Sequence, residues 1–358
     1  MKTILITAYA INPFKGSEDG TGWNITREIL QEFKVILITR ENNVPHLVKW
    51  FKDNDTDLLD RIHFVGFDLP PAVLKIKKKM GSKGHVVYFY LWQRYIARFI
   101  KKQAFKFDLA MSLNFHSDSH PHFLWKFNTP IFWGPIGHHP MIPREFVLKY
   151  GVKAYMIDRM FFGMKWMMRK LNPAYRKAVR RTEKIFVINS SIQEAIGAGA
   201  PKVIHLPAVA APESMSSEKA NGEKFTVLCA GRFHFMKGFD IALRAFVEFT
   251  ENLSENEREN VQLILVGKGN EKDRLQAMIE DSEVASRIKW LDWVPHSEMK
   301  ALYQSSQLFL FPSHEGAGMV VPEAMSYGLP VLTFANYGPG ELIGIDELQV
   351  PYGPYQQS

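Results

Sequence analysis

Short runs of β-branched and aliphatic residues alternate along this chain with longer stretches whose apolar positions recur at helical spacing. The runs Lys2–Tyr9, Val35–Thr39, Ile62–Val65, Asp108–Leu113, Ile131–Trp133, Lys184–Ile188 and Val203–Leu206 read as strands of one sheet. A second series follows at Phe225–Ala230, Val261–Val266, Ile288–Leu291, Leu308–Phe311 and Val331–Phe334, with helices near Phe239–Asn252, Lys272–Asp281, Ser297–Ser305 and Val320–Tyr327. This alternation predicts α/β architecture, with parallel strands joined by crossover helices. Between the two series, Pro207–Lys224 mixes Pro, Ala, Ser, Glu and Gly without periodicity. The expectation is therefore two Rossmann-like, doubly wound domains, residues 1–207 and 225–358, joined by a linker at 208–224. Ligands of open α/β sheets bind beyond the carboxyl ends of the strands, so the chemistry is expected in a cleft between two such edges.

Composition narrows the function classes. A chain of 358 residues exceeds what one core usually serves, and 46% hydrophobic content fits a globular protein. The one cysteine, Cys229, lies inside an apolar run, which excludes an intrachain disulfide or a cysteine metal cluster and fits a reducing cytoplasm. The N-terminus opens on a strand-like run rather than a basic segment with a long apolar core, so no secretory signal is read. No stretch approaches the roughly 18 apolar residues of a spanning helix, so any membrane contact is expected to be peripheral, at the inner face.

Charge is divided unevenly. Residues 1–210 carry 32 Lys and Arg against 16 Asp and Glu, and residues 211–358 carry 12 against 21, so the parts are +16 and −9. The basic part is expected to face something anionic, such as a phospholipid surface or a diphosphate-linked acceptor; no recognition motif supports nucleic acid. Ten Lys or Arg and no acid lie between Lys75 and Lys106, and Tyr155–Met168 is rich in Met, Phe and Trp. These read either as a peripheral membrane surface or as a solvated basic face beside an ordinary core-facing helix.

The most specific motif is Pro312-Ser-His-Glu315-Gly316-Ala-Gly318-Met319-Val320-Val-Pro-Glu323, continuing to Gly328-Leu-Pro330-Val. It follows a buried strand, turns on glycines and opens a helix near Val320, a geometry that aims backbone N–H groups at an anion such as a diphosphate. Glu315 in the turn and Glu323 in the first helical turns suit two hydroxyl-rich parts of one ligand. The plain alternative is a solvated loop residue and an ordinary first-turn helix acid. Upstream, Gly231-Arg232-x4-Lys237-Gly238 also joins a strand to a helix, and its fork-shaped and flexible cations form a complementary pair for two phosphates. Val266-Gly267-Lys268-Gly269 is a third strand-end loop. Gly16–Gly22 reads as a strand-end turn before a helix at Trp23–Phe33, either facing the cleft with a ligand or simply a tight turn that uses glycine. Asn114-Phe-His116-Ser-Asp118-Ser-His120-Pro-His122 has histidines at metal-like spacing, but no carboxylate cluster or helix register supports a metal, and none is expected.

Taken in order, Gly-Arg-x4-Lys-Gly, Val-Gly-x-Gly, Leu-x-Trp-Val-Pro and Pro-Ser-x-x-Glu-Gly-x-Gly with Glu-x7-Glu resemble family 4 of the retaining GT-B glycosyltransferases. The resemblance is strong through residues 225–341. It is weaker in the first half, where Gly16-Ser-Glu-Asp-Gly20-Thr-Gly22 and Trp133-Gly-Pro-Ile-Gly137 are similar to segments of one branch. It implies a hexose-type sugar moved, with retained anomeric configuration, from a nucleotide diphosphate donor to a glycan or lipid-linked acceptor in cell-surface polysaccharide synthesis, with no cofactor. It implies further that Arg232 and Lys237 grip the diphosphate with Gly16, Gly231, Gly316, Gly318, Met319 and Val320 nearby. Glu315 and His116 would meet the donor sugar, Glu323 the ribose, and Trp293 and Val294 the base.

Three features of the sequence depart from the family pattern: His138-His139 where glycines are frequent, Ala317 where an aromatic is, and Asp292 where glycine is. The C-terminal end is expected to be shortened, since relatives usually continue through further helices. The rival readings are a donor-binding partner subunit without transfer activity and another GT-B enzyme, such as a sugar epimerase or a phosphorylase, the last needing a pyridoxal cofactor for which no motif is seen.

Overall fold

The computed structural model describes residues 1–113, 117–196, 202–207 and 224–354. The linker expected at 208–224 lies outside them except for Lys224, and so does His116. Seven strands, β1 (Thr3–Ala8), β2 (Lys34–Thr39), β3 (Ile62–Gly66), β4 (Leu109–Leu113), β5 (Ile131–Ile136), β6 (Lys184–Val187) and β7 (Lys202–His205), form a sheet in the order β3-β2-β1-β4-β5-β6-β7. Six more, β8 (Phe225–Ala230), β9 (Val261–Val266), β10 (Ile288–Leu291), β11 (Leu308–Phe311), β12 (Val331–Phe334) and β13 (Gln349–Val350), form a second in the order β10-β9-β8-β11-β12-β13. Every strand pair is parallel. The strands expected from the sequence are all present, and both sheets are doubly wound. The two residues of β13 are too few to leave a pattern in the sequence.

Continuous apolar runs form strands here because helices cover both faces. Along β1, Ile4, Ile6 and Ala8 pack with Trp23, Leu30 and Phe51, while the alternate residue Leu5 packs with Tyr88, Phe89 and Trp92 of the helix Pro71–Gln103. In the second sheet Leu228 and Ala230 of β8 join one cluster and Val227 and Cys229 the other. Strand order reverses between β1 and β4 and again between β8 and β11, and at such a switch point the adjoining loops diverge and leave room at the carboxyl edge.

Two differences from the sequence reading bear on function. Gly16–Gly22 is not a loop: the helix runs Ser17–Glu32, with Gly16 at its N-cap. Glycines 20 and 22 suggested a turn, but the lead-in chain closes over the first helical turn, where Asn12 N–H donates to the Asp19 carbonyl at 3.1 Å. A Cβ at Gly20 would meet the Lys15 carbonyl oxygen at 2.8 Å, so this glycine serves close approach within a helix. Secondly, the chain divides into Met1–His138 with Arg159–Ala208, and His139–Asp158 with Val209–Ser358. The segment 139–158 thus groups with the second unit, unlike the contiguous division expected near 207. Ile142, Phe146 and Val147 bury with Ile241 and Phe334, and Tyr150 Oη donates to Asp240 Oδ1 at 3.1 Å. Those partners lie about ninety or more residues away along the chain, so sequence pattern carries no sign of them.

The histidine run of the first unit is structural where described. His122 is fully buried; its Nδ1 accepts from Leu124 N–H at 3.2 Å, so Nε2–H is the group that meets Thr182 Oγ1 at 2.9 Å. Burial pushes its pKa down to about 3. His120 Nδ1 pairs with Ser117 Oγ at 2.8 Å. No group of three metal-ligating side chains occurs among the described residues. Asp118 is wholly buried and holds His138 Nδ1 at 2.5 Å, Lys165 Nζ at 3.8 Å and the Arg169 guanidinium. Burial alone would raise its pKa, but these three neighbours hold it below the usual carboxylate range.

Removing the carboxylate leaves two partly buried cations without that anion. Asp118→Ala is expected to cost the first unit about 3 kcal/mol, read as a lowered urea midpoint of its unfolding transition; an unchanged midpoint would show that Asp118 is not the anchor of Lys165 and Arg169.

Candidate functional site

The carboxyl edge of the second sheet is built by loops stitched to one another. After β11, Ser313 Oγ and His314 N–H both donate to the Met236 carbonyl, at 3.0 and 2.8 Å, which ties this loop to the one after β8. Asn336, after β12, donates from Nδ2 to the Ser313 carbonyl at 2.8 Å and accepts Gly338 N–H at 3.0 Å. The loop after β9 joins from the other side, with Phe233 N–H donating to the Lys268 carbonyl at 3.0 Å. Two glycines make this spacing attainable. A Cβ at Gly238, whose φ is +68°, would stand 2.0 Å from the Pro312 carbonyl oxygen, and one at Gly267 would stand 1.9 Å from that of Gly231. No side chain fits at either place.

The stitching sets Lys237 against Glu315, Nζ to Oε1 at 2.5 Å, with 17% and 16% of the side chains exposed. Lys237 follows β8 and Glu315 follows β11, so the pair spans the reversal in strand order. Lys237 Nζ also lies 5.1 Å from the Phe311 ring centroid. Arg232 is exposed on the same β8 loop, and no hydrogen bond or ion pair joins it to the pair among the described residues. His234 lies on the same loop, and the charges of Glu271, Arg232, Lys237 and Glu315 all act on it. Its pKa is lowered, first by burial, and its Nδ1 faces Met236 N–H.

The other predicted residues occupy the same edge in different roles. Gly316 N–H donates to His139 Nδ1 at 2.9 Å, so a backbone donor expected to face a ligand meets an imidazole here. His139 was legible only as a departure from glycine. Gly318, with φ +55°, and Met319 lead into the helix Val320–Ser326, where Val321 N–H donates to the Gly318 carbonyl at 2.9 Å. Glu323 lies in that first turn, and Tyr303 Oη reaches its Oε2 at 3.5 Å. Trp293 is 69% exposed after β10, while Val294 packs on the core. Asp292 is held by Lys272 Nζ at 2.9 Å and Trp290 Nε1–H at 2.9 Å, and these bonds lower its pKa.

Behind the loop, His314 is buried in a ring stack the sequence did not reveal. Its plane lies 13° from Phe334 and 16° from Tyr352, at 5.4 and 5.6 Å, and its Nδ1 is 2.9 Å from Tyr352 Oη. Burial pushes its pKa down to about 3.

Residues 211–354 match the family described as glycosyl transferases group 1. An uncharacterized glycosyltransferase of Methanocaldococcus jannaschii is 30% identical over 118 residues, 33% of this chain and 29% of that protein. Human alpha-1,3/1,6-mannosyltransferase ALG2 is 28% identical over 141 residues, 37% of this chain and 34% of that protein. This chain therefore spans about a third of the length of the curated relatives it matches. The solved structure of WaaG, a glycosyltransferase involved in lipopolysaccharide biosynthesis, superposes with a TM-score of 0.57 at 15% identity over 99% of this chain and 88% of that one. The fold is GT-B.

The His314 stack has a pH signature. Above about pH 6.5 folded and unfolded chains both hold neutral imidazole; between about 6.5 and about 3 the unfolded chain takes up a proton that the folded one refuses. Stability of the second unit is thus expected to fall as pH drops through that window, by up to about 1.4 kcal/mol per unit from this residue. His314→Phe keeps a stacked ring and should flatten the slope; urea midpoints at pH 7 and pH 4 measure it, and an unaltered slope would contradict a neutral buried His314.

Proposed function

We propose that this chain, whose residues 211–354 match the family described as glycosyl transferases group 1, moves a hexose-type sugar from a nucleotide diphosphate donor to a glycan or lipid-linked acceptor in cell-surface polysaccharide synthesis. The observation that carries this reading is the Lys237–Glu315 pair at the strand-order switch, with Arg232 exposed on the same β8 loop as Lys237. Breaking an anomeric C–O bond requires that charge developing on the leaving diphosphate be met, which preorganised cations do without a strong base. Lys237 exchanges its partner from Glu315 to the diphosphate, Arg232 forks onto the same group, and the N–H groups around Gly318, Met319 and Val320 complete the cradle. Gly231 keeps the β8 loop close to it, and Gly16, at the start of the helix Ser17–Glu32, offers a second N–H cradle. Glu315, released, accepts from the sugar hydroxyls and supports the positive charge on the sugar. Glu323 serves the ribose, and the backbone at Trp293 and Val294 the base. The sugar keeps its configuration when the acceptor attacks from the face the phosphate leaves, giving its proton to the departing phosphate oxygen. No divalent metal is needed where these cations are present.

An anionic membrane surface is the partner proposed for the basic part. The helix Val152–Leu171 has no buried residue, and Met156, Met160, Phe161, Met164, Met167 and Leu171 are 44–68% exposed at helical spacing along it. Its amphipathicity is inverted: Lys165 and Arg169 turn inward to Asp118 while the apolar stripe faces out beside exposed Lys153 and Lys170. Such a stripe of about 30 Å lies in a headgroup layer rather than crossing it, and no described helix is long and apolar enough to cross.

Arg232→Ala and Lys237→Ala are each expected to lower kcat by roughly 100-fold or more, in the range of a lost oxyanion donor, while the wild type turns over in excess chelator; near-normal rates in both variants would sink the diphosphate assignment. Vesicle sedimentation addresses the surface: binding to vesicles with anionic lipid should weaken with salt and fall roughly tenfold in Met160→Asp, whereas equal binding to neutral vesicles would remove the electrostatic part.

A further inference from the structure

A second cluster of charge stands at the carboxyl ends of β1, β2 and β3, in the first unit. Lys77, on the helix Pro71–Gln103, is only 8% exposed. Its one hydrogen bond among the described residues goes from Nζ to Tyr9 Oη at 3.0 Å, and no carboxylate lies within ion-pair distance of it there. Its ammonium sits over two rings, 4.7 Å from the Tyr88 centroid and 5.6 Å from that of Tyr9. Arg40, directly after β2, lies over the same rings at 5.3 Å from Tyr9 and 6.0 Å from Tyr88.

One carboxylate serves the cluster, and it is committed. Asp68 Oδ1 accepts Arg40 Nε–H at 3.2 Å and Tyr88 Oη–H at 2.8 Å, and Oδ2 accepts Glu41 N–H at 3.2 Å. Two cations therefore share one anion. Ring faces replace only part of the water a buried ammonium gives up, and an unpaired buried charge is unfavourable. The surplus registers on its neighbours: Lys77 is held below the usual lysine range by burial and then by Arg40, and His85 is lowered by burial and then by Lys77 and Arg40.

We infer that this cluster is a binding site for a phosphate group, held by the Lys77 ammonium and the Arg40 guanidinium across the rings of Tyr9 and Tyr88. A tetrahedral phosphate fits better than a carboxylate because it offers oxygens in several directions to an ammonium with two protons uncommitted, and a guanidinium engaged through Nε alone, among the described residues. The carboxyl edge of a doubly wound sheet is also where such a group arrives. That the phosphate belongs to the acceptor rests on the glycosyl-transfer reading; the site itself does not.

The test is residue-specific, so that phosphate held elsewhere does not register. Trace acetylation of lysines, read by mass spectrometry, is run on the whole protein with inorganic phosphate, a hexose phosphate, or a short-chain phosphatidate, and with chloride as control. Lys77 is expected to be protected roughly tenfold by saturating phosphate, while exposed lysines are not. Protection by the hexose phosphate alone identifies a soluble source, and protection by phosphatidate alone a lipid one. Lys77→Met removes the unpaired charge, so it should melt higher than wild type without phosphate and lose the phosphate-induced rise in Tm. Arg40→Gln, whose ring neighbours remain, should lose most of the protection if Lys77→Met does not fold. Unchanged labelling with all three phosphates, or a lower Tm in Lys77→Met with phosphate response intact, would overturn the site. If protection holds while no nucleotide sugar supports transfer, the site stands and the proposed reaction falls.

Discussion

The carbonyl of Met236 is the constraint on which the second unit's functional edge depends. By accepting from both Ser313 and His314 it fixes the β11 loop to the β8 loop, and Lys237 and Glu315 meet only because those loops are fixed. The spacing is closer than any side chain permits, so glycine stands at 238 and 267 for steric reasons. Parallel strands with reversed order bring two consecutive carboxyl ends together but leave their side chains free to diverge. Hydrogen bonds between loops turn that topological opportunity into a candidate site.

A common logic runs through the charged groups of both units. Where charge is buried for architecture, it is balanced: Asp118 meets His138, Lys165 and Arg169, and Asp240 meets Lys149, Tyr150 and Arg274. Lys149 shows the cost, its pKa lowered to about 8 by burial even though Asp240 pulls the other way. At the candidate sites the balance is incomplete or exchangeable. Lys237 and Glu315 are each partly exposed and can trade partners with a ligand, and Lys77 and Arg40 share a single carboxylate. On the readings proposed above, a ligand supplies the missing half.

The inverted helix Val152–Leu171 follows the same reasoning. A hydrophobic stripe turned outward is unfavourable in water, and a row of cations turned inward is unfavourable without an anion. Asp118 resolves the second difficulty by holding Lys165 and Arg169. The headgroup and acyl boundary of a membrane surface would resolve the first.

The positions of β1 to β12, the doubly wound class and the β8 and β11 motifs were legible in the sequence, because parallel strands buried on both faces leave unbroken apolar runs and because glycine, Arg, Lys and Glu keep fixed spacings around a turn. Gly16–Gly22 misled, since glycine marks close approach inside a helix as readily as a turn. The grouping of His139–Asp158 with the second unit, the His139 imidazole on Gly316 N–H, the His314 stack and the cluster of Lys77 with Arg40, Tyr9 and Tyr88 came from the tertiary structure alone. Each joins residues tens to hundreds of positions apart through packing and desolvation. Local pattern encodes which segments become strands and helices, whereas what one side chain meets across the fold depends on which others were buried with it.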